Sequence, residues 1–384
     1  MSGSPMSLDR LFNLMAEKSA SDLFLSVGSP ITIKINGVCV PINQERLAPQ
    51  AIVSLLAERV TDTQFRELED SRELNIALPI QGVGSFRLSA FLQRGSVSAV
   101  IRFIPHDVPR LDELHLPEVL KDLVMERRGL ILVVGAAGSG KSTTIASMLD
   151  HRNELVTGHM LTFEDPIEFL FRNKKSIINQ REIGSDAKTL YAALKSAMRQ
   201  APDVIFIGEI RDRETMTAAI AYSMSGHLVV ATLHATNSSH ALNRVISFYP
   251  PETRQALFQD MSVAVKAIVS QRLVRSKHGG RVPAVEVLLN TRHIADLIER
   301  GDVPAIKEAM EQSLAPESIS FEQSLYTLIQ TDKVTREDAL AAADSQNNLL
   351  WFINNAGKPK SQPAREPRLE AGADASFSEF TLNI

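Results

Sequence analysis

Residues 129–150 read GLILVVGAAGSGKSTTIASMLD, and the reading of this stretch decides the fold. Five consecutive apolar residues, Leu130 to Val134, form a run without polar alternation, as expected of a strand buried on both faces. The run is too short to cross a bilayer, which takes about 20 apolar residues. Gly135, Gly140, Lys141 and Ser142 then follow the spacing G-x-x-x-x-G-K-[ST], directly after a strand and opening a helix, the context that motif requires. The chemistry accounts for the residue types. Gly135, Ala136, Ala137, Gly138, Ser139 and Gly140 turn backbone N–H groups toward a nucleotide's phosphates, and the helix N-terminus adds its positive end. Lys141 reaches the β- and γ-phosphates, while the Ser142 hydroxyl, followed by Thr143, ligates Mg²⁺. A plain glycine-rich turn is the alternative, but it has no need of Lys and Ser in register.

Toward the C-terminus, apolar runs alternate with helical stretches: MLTF, AKTLYAALKSAMRQ, DVIFI, ETMTAAIAYSM and LVVATL, spanning 160–233. Such alternation predicts a parallel sheet covered on both faces, an α/β architecture. Polar residues follow three of these strands: Glu164 and Asp165, then Gly208 and Glu209, then His234. Parallel strands end on one edge, where ligands bind, so the order of elements gathers Lys141, Glu164, Glu209 and His234 around one site. Each has a plainer reading alone: a cap or solvated turn for Glu164 and Asp165, a loop carboxylate for Glu209, a satisfied polar group for His234. A water attacking a γ-phosphate needs a carboxylate to orient it, and Mg²⁺ needs an acidic partner. Two glutamates can divide these tasks.

Toward the N-terminus the pattern changes. Leu8, Leu11, Phe12 and Met15 recur at helical spacing, LFLSV reads as a strand, and ITIKING alternates into an Asn-Gly hairpin signal followed by CVPI. SFRLSAFLQRG and SVSAVIRFIP add two strands joined at Gly95, so 1–106 is expected to form a small α+β domain with an antiparallel sheet. HDVPRLDELHLP, from His106 to Pro117, has little periodicity and reads as the linker into the nucleotide-binding domain at 107–291. Helices alone are expected over 292–356, and the Pro-, Gly-, Ser- and charge-rich 357–384 reads as a disordered tail.

Composition excludes several classes. The 384 residues carry a formal net charge of −4 and only 5% aromatics, which leaves neither basic stripe nor stacking platform for nucleic acid. One cysteine, Cys39, forms no intramolecular disulfide and no cysteine-based zinc site. The N-terminal MSGSPMSLDRLFNLMAEKSASD lacks the apolar core of a signal peptide, so a cytoplasmic protein is expected, with membrane contact only through partners.

Four motifs in order resemble the secretion ATPase superfamily, and within it the type IV pilus retraction ATPases of the PilT/PilU family. Besides the phosphate loop these are LTFEDPIEF at 161–169, GEIRD at 208–212 and SGHLVVATLHAT at 225–236, with ASDLFLSVGSP and INGV near the N-terminus. The resemblance implies a homo-hexamer that binds ATP and Mg²⁺ between an N-terminal PAS-like domain and a RecA-like domain. It implies that Glu164 is the catalytic carboxylate and that Glu209 belongs to the Mg²⁺ site. It also implies that Arg87 in FRLS and Arg102 in VIRFI complete the phosphate site, with Arg94 a further candidate; apart from the resemblance, both read as ordinary strand arginines. HIADLIERG, FEQSLYTLIQ and EDALAAADSQNNL look more like the accessory, PilU-type branch than the principal, PilT-type one. The partners implied are the principal retraction ATPase and the pilus platform protein at the inner membrane, with no nucleic acid. Extension ATPases of the same machinery usually bear a four-cysteine zinc site, which this chain cannot build. A RecA-like nucleic-acid motor and a non-hydrolysing nucleotide-binding scaffold are the remaining alternatives, and a scaffold has no use for Glu164 and Glu209.

Overall fold

The computed structural model describes residues 7–35, 37–104, 107–311 and 318–355. Apolar residues three and four apart put Leu8, Leu11, Phe12 and Met15 on the buried face of α1 (Leu8–Glu17), capped by Ser7. The helix is followed by β1 (Asp22–Leu25), β2 (Pro30–Ile35), β3 (Val38–Arg46), α2 (Pro49–Leu56), α3 (Asp62–Ser71), β4 (Glu73–Ile80), β5 (Gly84–Gln93) and β6 (Ser96–Ile104). The six strands form one antiparallel sheet in the order β3-β2-β1-β6-β5-β4. Its apolar face packs on the helices, with Phe12 stacked on Phe86 at 4.2 Å between ring centroids. Each such buried ring contributes about 1.5–3 kcal/mol over an exposed one.

The expected linker is packed rather than free. Leu111, in a short 3₁₀ turn at Leu111–Leu114, is buried in the next core, and the Pro109 carbonyl accepts a hydrogen bond from Ser147 at 2.7 Å. Four apolar residues, Val108, Leu111, Leu114 and Leu116, in a stretch broken by Pro109 and Pro117 are too few for a sustained periodic signal.

Next come α4 (Val119–Met125), β7 (Gly129–Val134), α5 (Lys141–Leu155), β8 (Gly158–Glu164), β9 (Ser176–Glu182), α6 (Leu190–Ala197), β10 (Val204–Ile207), α7 (Arg213–Met224), β11 (Leu228–Leu233), α8 (Ser238–Ser247), α9 (Arg254–Ala264), β12 (Val265–Arg275) and β13 (Arg281–Leu289). They build a seven-stranded sheet in the order β13-β12-β7-β11-β10-β8-β9, parallel except for the β12–β13 hairpin. Every residue of β7 and β11 is buried. The two-residue period explains why: Leu130, Leu132 and Val134 enter the core on one face, Ile131 and Val133 that on the other. The strand order reverses beside β7, which opens a crevice at the carboxyl edge.

The helices α10 (Arg292–Arg300), α11 (Val303–Glu311), α12 (Phe321–Gln330), α13 (Arg336–Ala342) and α14 (Gln346–Asn354) follow. Arg272 on β12 ties this region to the sheet. Its guanidinium lies 3.6 Å from the Phe321 ring centroid and donates to Asp344 at 2.8 Å and to the Thr236 carbonyl at 3.1 Å, two residues beyond His234. The expected tail at 357–384 lies outside the described residues.

Candidate active site

The phosphate loop joins β7 to α5, and its backbone geometry demands glycine at two points. A Cβ on Gly135 would stand 2.4 Å from the Gln271 carbonyl oxygen, and Gly140 caps the helix at φ +90°. The left-handed conformation is one that residues with a side chain rarely adopt. The loop borders a cavity of about 760 Å³, lined among others by Ala137, Gly138, Gly140, Lys141, Ser142 and Thr143. Gly135, Ala136 and Ser139 stand behind this rim rather than on it. The Lys141 ammonium donates to the carbonyl oxygens of Gly135 and Ala136, each at 2.9 Å. Burial pulls its pKa below the usual lysine value, against the pull of the Glu168 and Glu209 carboxylates.

Glu164, Glu209 and His234 line the same cavity, each at the carboxyl end of its strand. Glu164 is 6% exposed, and its Oε1 accepts from the Thr162 hydroxyl at 2.7 Å and the Gln180 amide at 3.1 Å. Burial pushes its carboxyl up to about 7, although both hydrogen bonds favour the charged form. A carboxyl poised there can take a proton from water near neutral pH. Glu209 receives Arg211 Nε at 2.7 Å on Oε2, while its Oε1 stands 3.1 Å from His234 Nε2.

Four contributors escaped the sequence reading. Gln180 lies opposite Thr162 in the parallel β8–β9 register and also donates to the Phe169 carbonyl, so it orients Glu164 and pins the following loop together. Arg211 sat within the quoted GEIRD without being singled out; it bridges Glu209 and, at 3.8 Å, Asp165. Glu168 and Arg281 also line the cavity, the latter carried in by the β12–β13 hairpin.

Arg87 and Arg102 are not among the residues lining the cavity. They face each other across β5 and β6; Arg102 donates to Asp22 at 3.0 Å, and Arg87 stands 3.7 Å from Glu182 at the end of β9. Arg94 occupies the β5–β6 turn at φ +50°.

The site's donor chemistry suits a magnesium nucleotide. Hard oxygen donors come from Ser142 and Glu209, and among the described residues no group of three or more His, Cys, Asp or Glu side chains is placed to hold a metal ion. Mg²⁺ matches such a site because it keeps most of its ligands as phosphate and water oxygens.

The family of Type II/IV secretion system proteins matches residues 5–314. The chain is 44% identical to the type IV pilus ATPase PilU of Pseudomonas aeruginosa over 349 residues, 91% of each chain. It is 36% identical to the pilus retraction ATPase PilT of the same organism, over 89% of this chain and all of that one. A crystal structure of the pilus retraction motor PilT with bound ADP superposes with a TM-score of 0.84, at 36% identity, over 90% of this chain and 99% of the other. With a phosphate loop, a buried carboxylate and an acidic partner converging on one cavity in this fold, the chain belongs to the Type II/IV secretion system protein family, as an ATP-hydrolysing secretion ATPase of the PilT/PilU group.

Proposed function

We propose that this protein is a Mg²⁺-dependent ATPase motor that powers type IV pilus retraction, in the accessory role of PilU. The observation that carries the proposal is the convergence of Lys141, Glu164, Glu209 and His234 on one cavity, in a chain 44% identical to a PilU along nearly its whole length. Lys141 holds the β- and γ-phosphates, Glu164 orients and deprotonates the attacking water, and His234 holds the Glu209 carboxylate in place. Ser142 and Glu209 would hold Mg²⁺, which would supply neutralisation of phosphate charge. Arg87 and Arg102 swing in from the N-terminal sheet to meet charge developing on the transferred phosphoryl group.

This last role requires the N-terminal unit to rotate against the ATPase unit, a hinge closure. In a homo-hexamer, closures around the ring become mechanical work. No helix among the described residues is long and apolar enough to cross a membrane. On this reading the motor acts from the cytoplasm on protein partners: the principal retraction ATPase and the pilus platform at the inner membrane. A net charge of −4 argues against a nucleic-acid track.

Deleting the gene tests the assignment. Pili should remain assembled on the surface, while twitching and retraction under load decline. Loss of all retraction with excess surface pili would identify the principal motor instead, and bald cells would identify an assembly motor.

A further inference from the structure

We propose that Glu182 is a positioning residue for Arg87: it holds the arginine against the ATPase sheet and gives it up to the nucleotide's phosphates, so that it sets how readily the site closes and reopens. The inference rests on the reading that Arg87 completes the phosphate site.

Arg87 and Arg102 sit directly opposite each other on β5 and β6. Two cations in that register repel, and a carboxylate beside each relieves the repulsion. Arg102 has Asp22 on its own sheet, opposite it on β1, at hydrogen-bonding distance. Arg87 has Glu182, which belongs to the other sheet. The two pairs differ in quality as well. One terminal guanidinium nitrogen of Arg87 is buried without a hydrogen-bond partner, and at 3.7 Å from Glu182 Oε2 it makes an ion pair too long for a hydrogen bond. A cation in this position is held by charge alone. Several phosphate oxygens offering short, charge-assisted bonds outcompete a single carboxylate for it.

Glu182 is placed to link this exchange to the chemistry. It lies opposite Glu164 in the β8–β9 register, and its Oε2 also accepts from the Ile167 backbone N–H at 3.1 Å, within the loop that follows Glu164. Its neighbour Ile183 donates to the Glu164 carbonyl at 2.8 Å and lines the cavity. Glu182 thus stands between the arginine and the loop that carries Glu164 and Asp165. When phosphate leaves, the carboxylate reclaims Arg87 and keeps it off the vacated site, which favours product release.

The test uses the full-length protein and a non-hydrolysable ATP analogue. Glu182→Gln keeps an acceptor for Ile167 while removing the charge. It should bind the analogue about fivefold more tightly, the upper range for a partly exposed ion pair. ADP affinity should be unchanged, and KM and kcat should fall together because reopening is slowed. Glu182→Asp, which keeps the charge, should stay near wild type. In an Arg87→Ala background the Gln substitution should have no further effect. A merely structural role would weaken binding of both nucleotides. Unchanged or weaker analogue binding by Glu182→Gln, or a gain that survives in Arg87→Ala, overturns the inference alone. Wild-type turnover by Arg87→Ala on its own overturns the phosphate-site reading beneath it.

Discussion

Lys141→Ala should reduce ATP hydrolysis by at least about a hundredfold, the scale on which removing one preorganised charge from a transferring phosphoryl group acts. The ammonium is fixed at the lip of the loop by the Gly135 and Ala136 carbonyls, and it is the loop's own cation. Burial already works against its charge, so nucleotide phosphates regain what desolvation costs, and nucleotide binding should weaken along with turnover. The fold should survive, because the side chain's hydrogen bonds go to the loop itself rather than to another element. Steady-state turnover, a nucleotide-binding titration and far-UV circular dichroism check the three parts. Near wild-type turnover would refute the site assignment.

Glu164→Gln should slow cleavage by about 10²- to 10⁴-fold, the range for loss of a positioned general base, and leave ATP bound and intact. Removing a buried negative charge near the phosphates relieves repulsion, so affinity should hold or rise. The raised carboxyl also predicts a pH profile. Wild-type kcat should climb as pH rises through about 7, where Glu164 ionises, and the variant should lose that limb. Stability carries the opposite sign. The folded carboxyl titrates near 7 and its ordinary value is 4.5, so its contribution to the nucleotide-free fold is full below 4.5 and lost as pH rises through about 7. The permanently neutral variant should therefore melt higher than wild type above pH 7, with the gap closing toward pH 4.5. Normal hydrolysis by Glu164→Gln would remove this residue from the mechanism.

Much of the site was legible because its parts are local in sequence. The phosphate loop is one contiguous segment, and β8, β10 and β11 announce themselves as apolar runs with polar residues at their ends. What stayed hidden is non-local or unpatterned. Only Ser176 and Ile178 of β9 are buried, so SIINQRE shows no apolar run, and with it Gln180 and Glu182 went unread. The chain passes from α9 into β12 at Ala264–Val265 with no Gly or Pro between them, which concealed the hairpin that delivers Arg281. Arg87 and Arg102 were singled out only through resemblance, and neither lines the cavity; a strand arginine looks the same whether it faces solvent, a carboxylate or a nucleotide.

The central claim is that ATP cleavage in this cavity drives retraction, and single-pilus force measured in the deletion strain tests it most directly. Cells complemented with the wild-type gene should regain retraction against load, while cells expressing Lys141→Ala at the same level should stall at the force of the uncomplemented strain. Full retraction force with Lys141→Ala would contradict the account, because the protein would then serve the pilus without hydrolysing ATP.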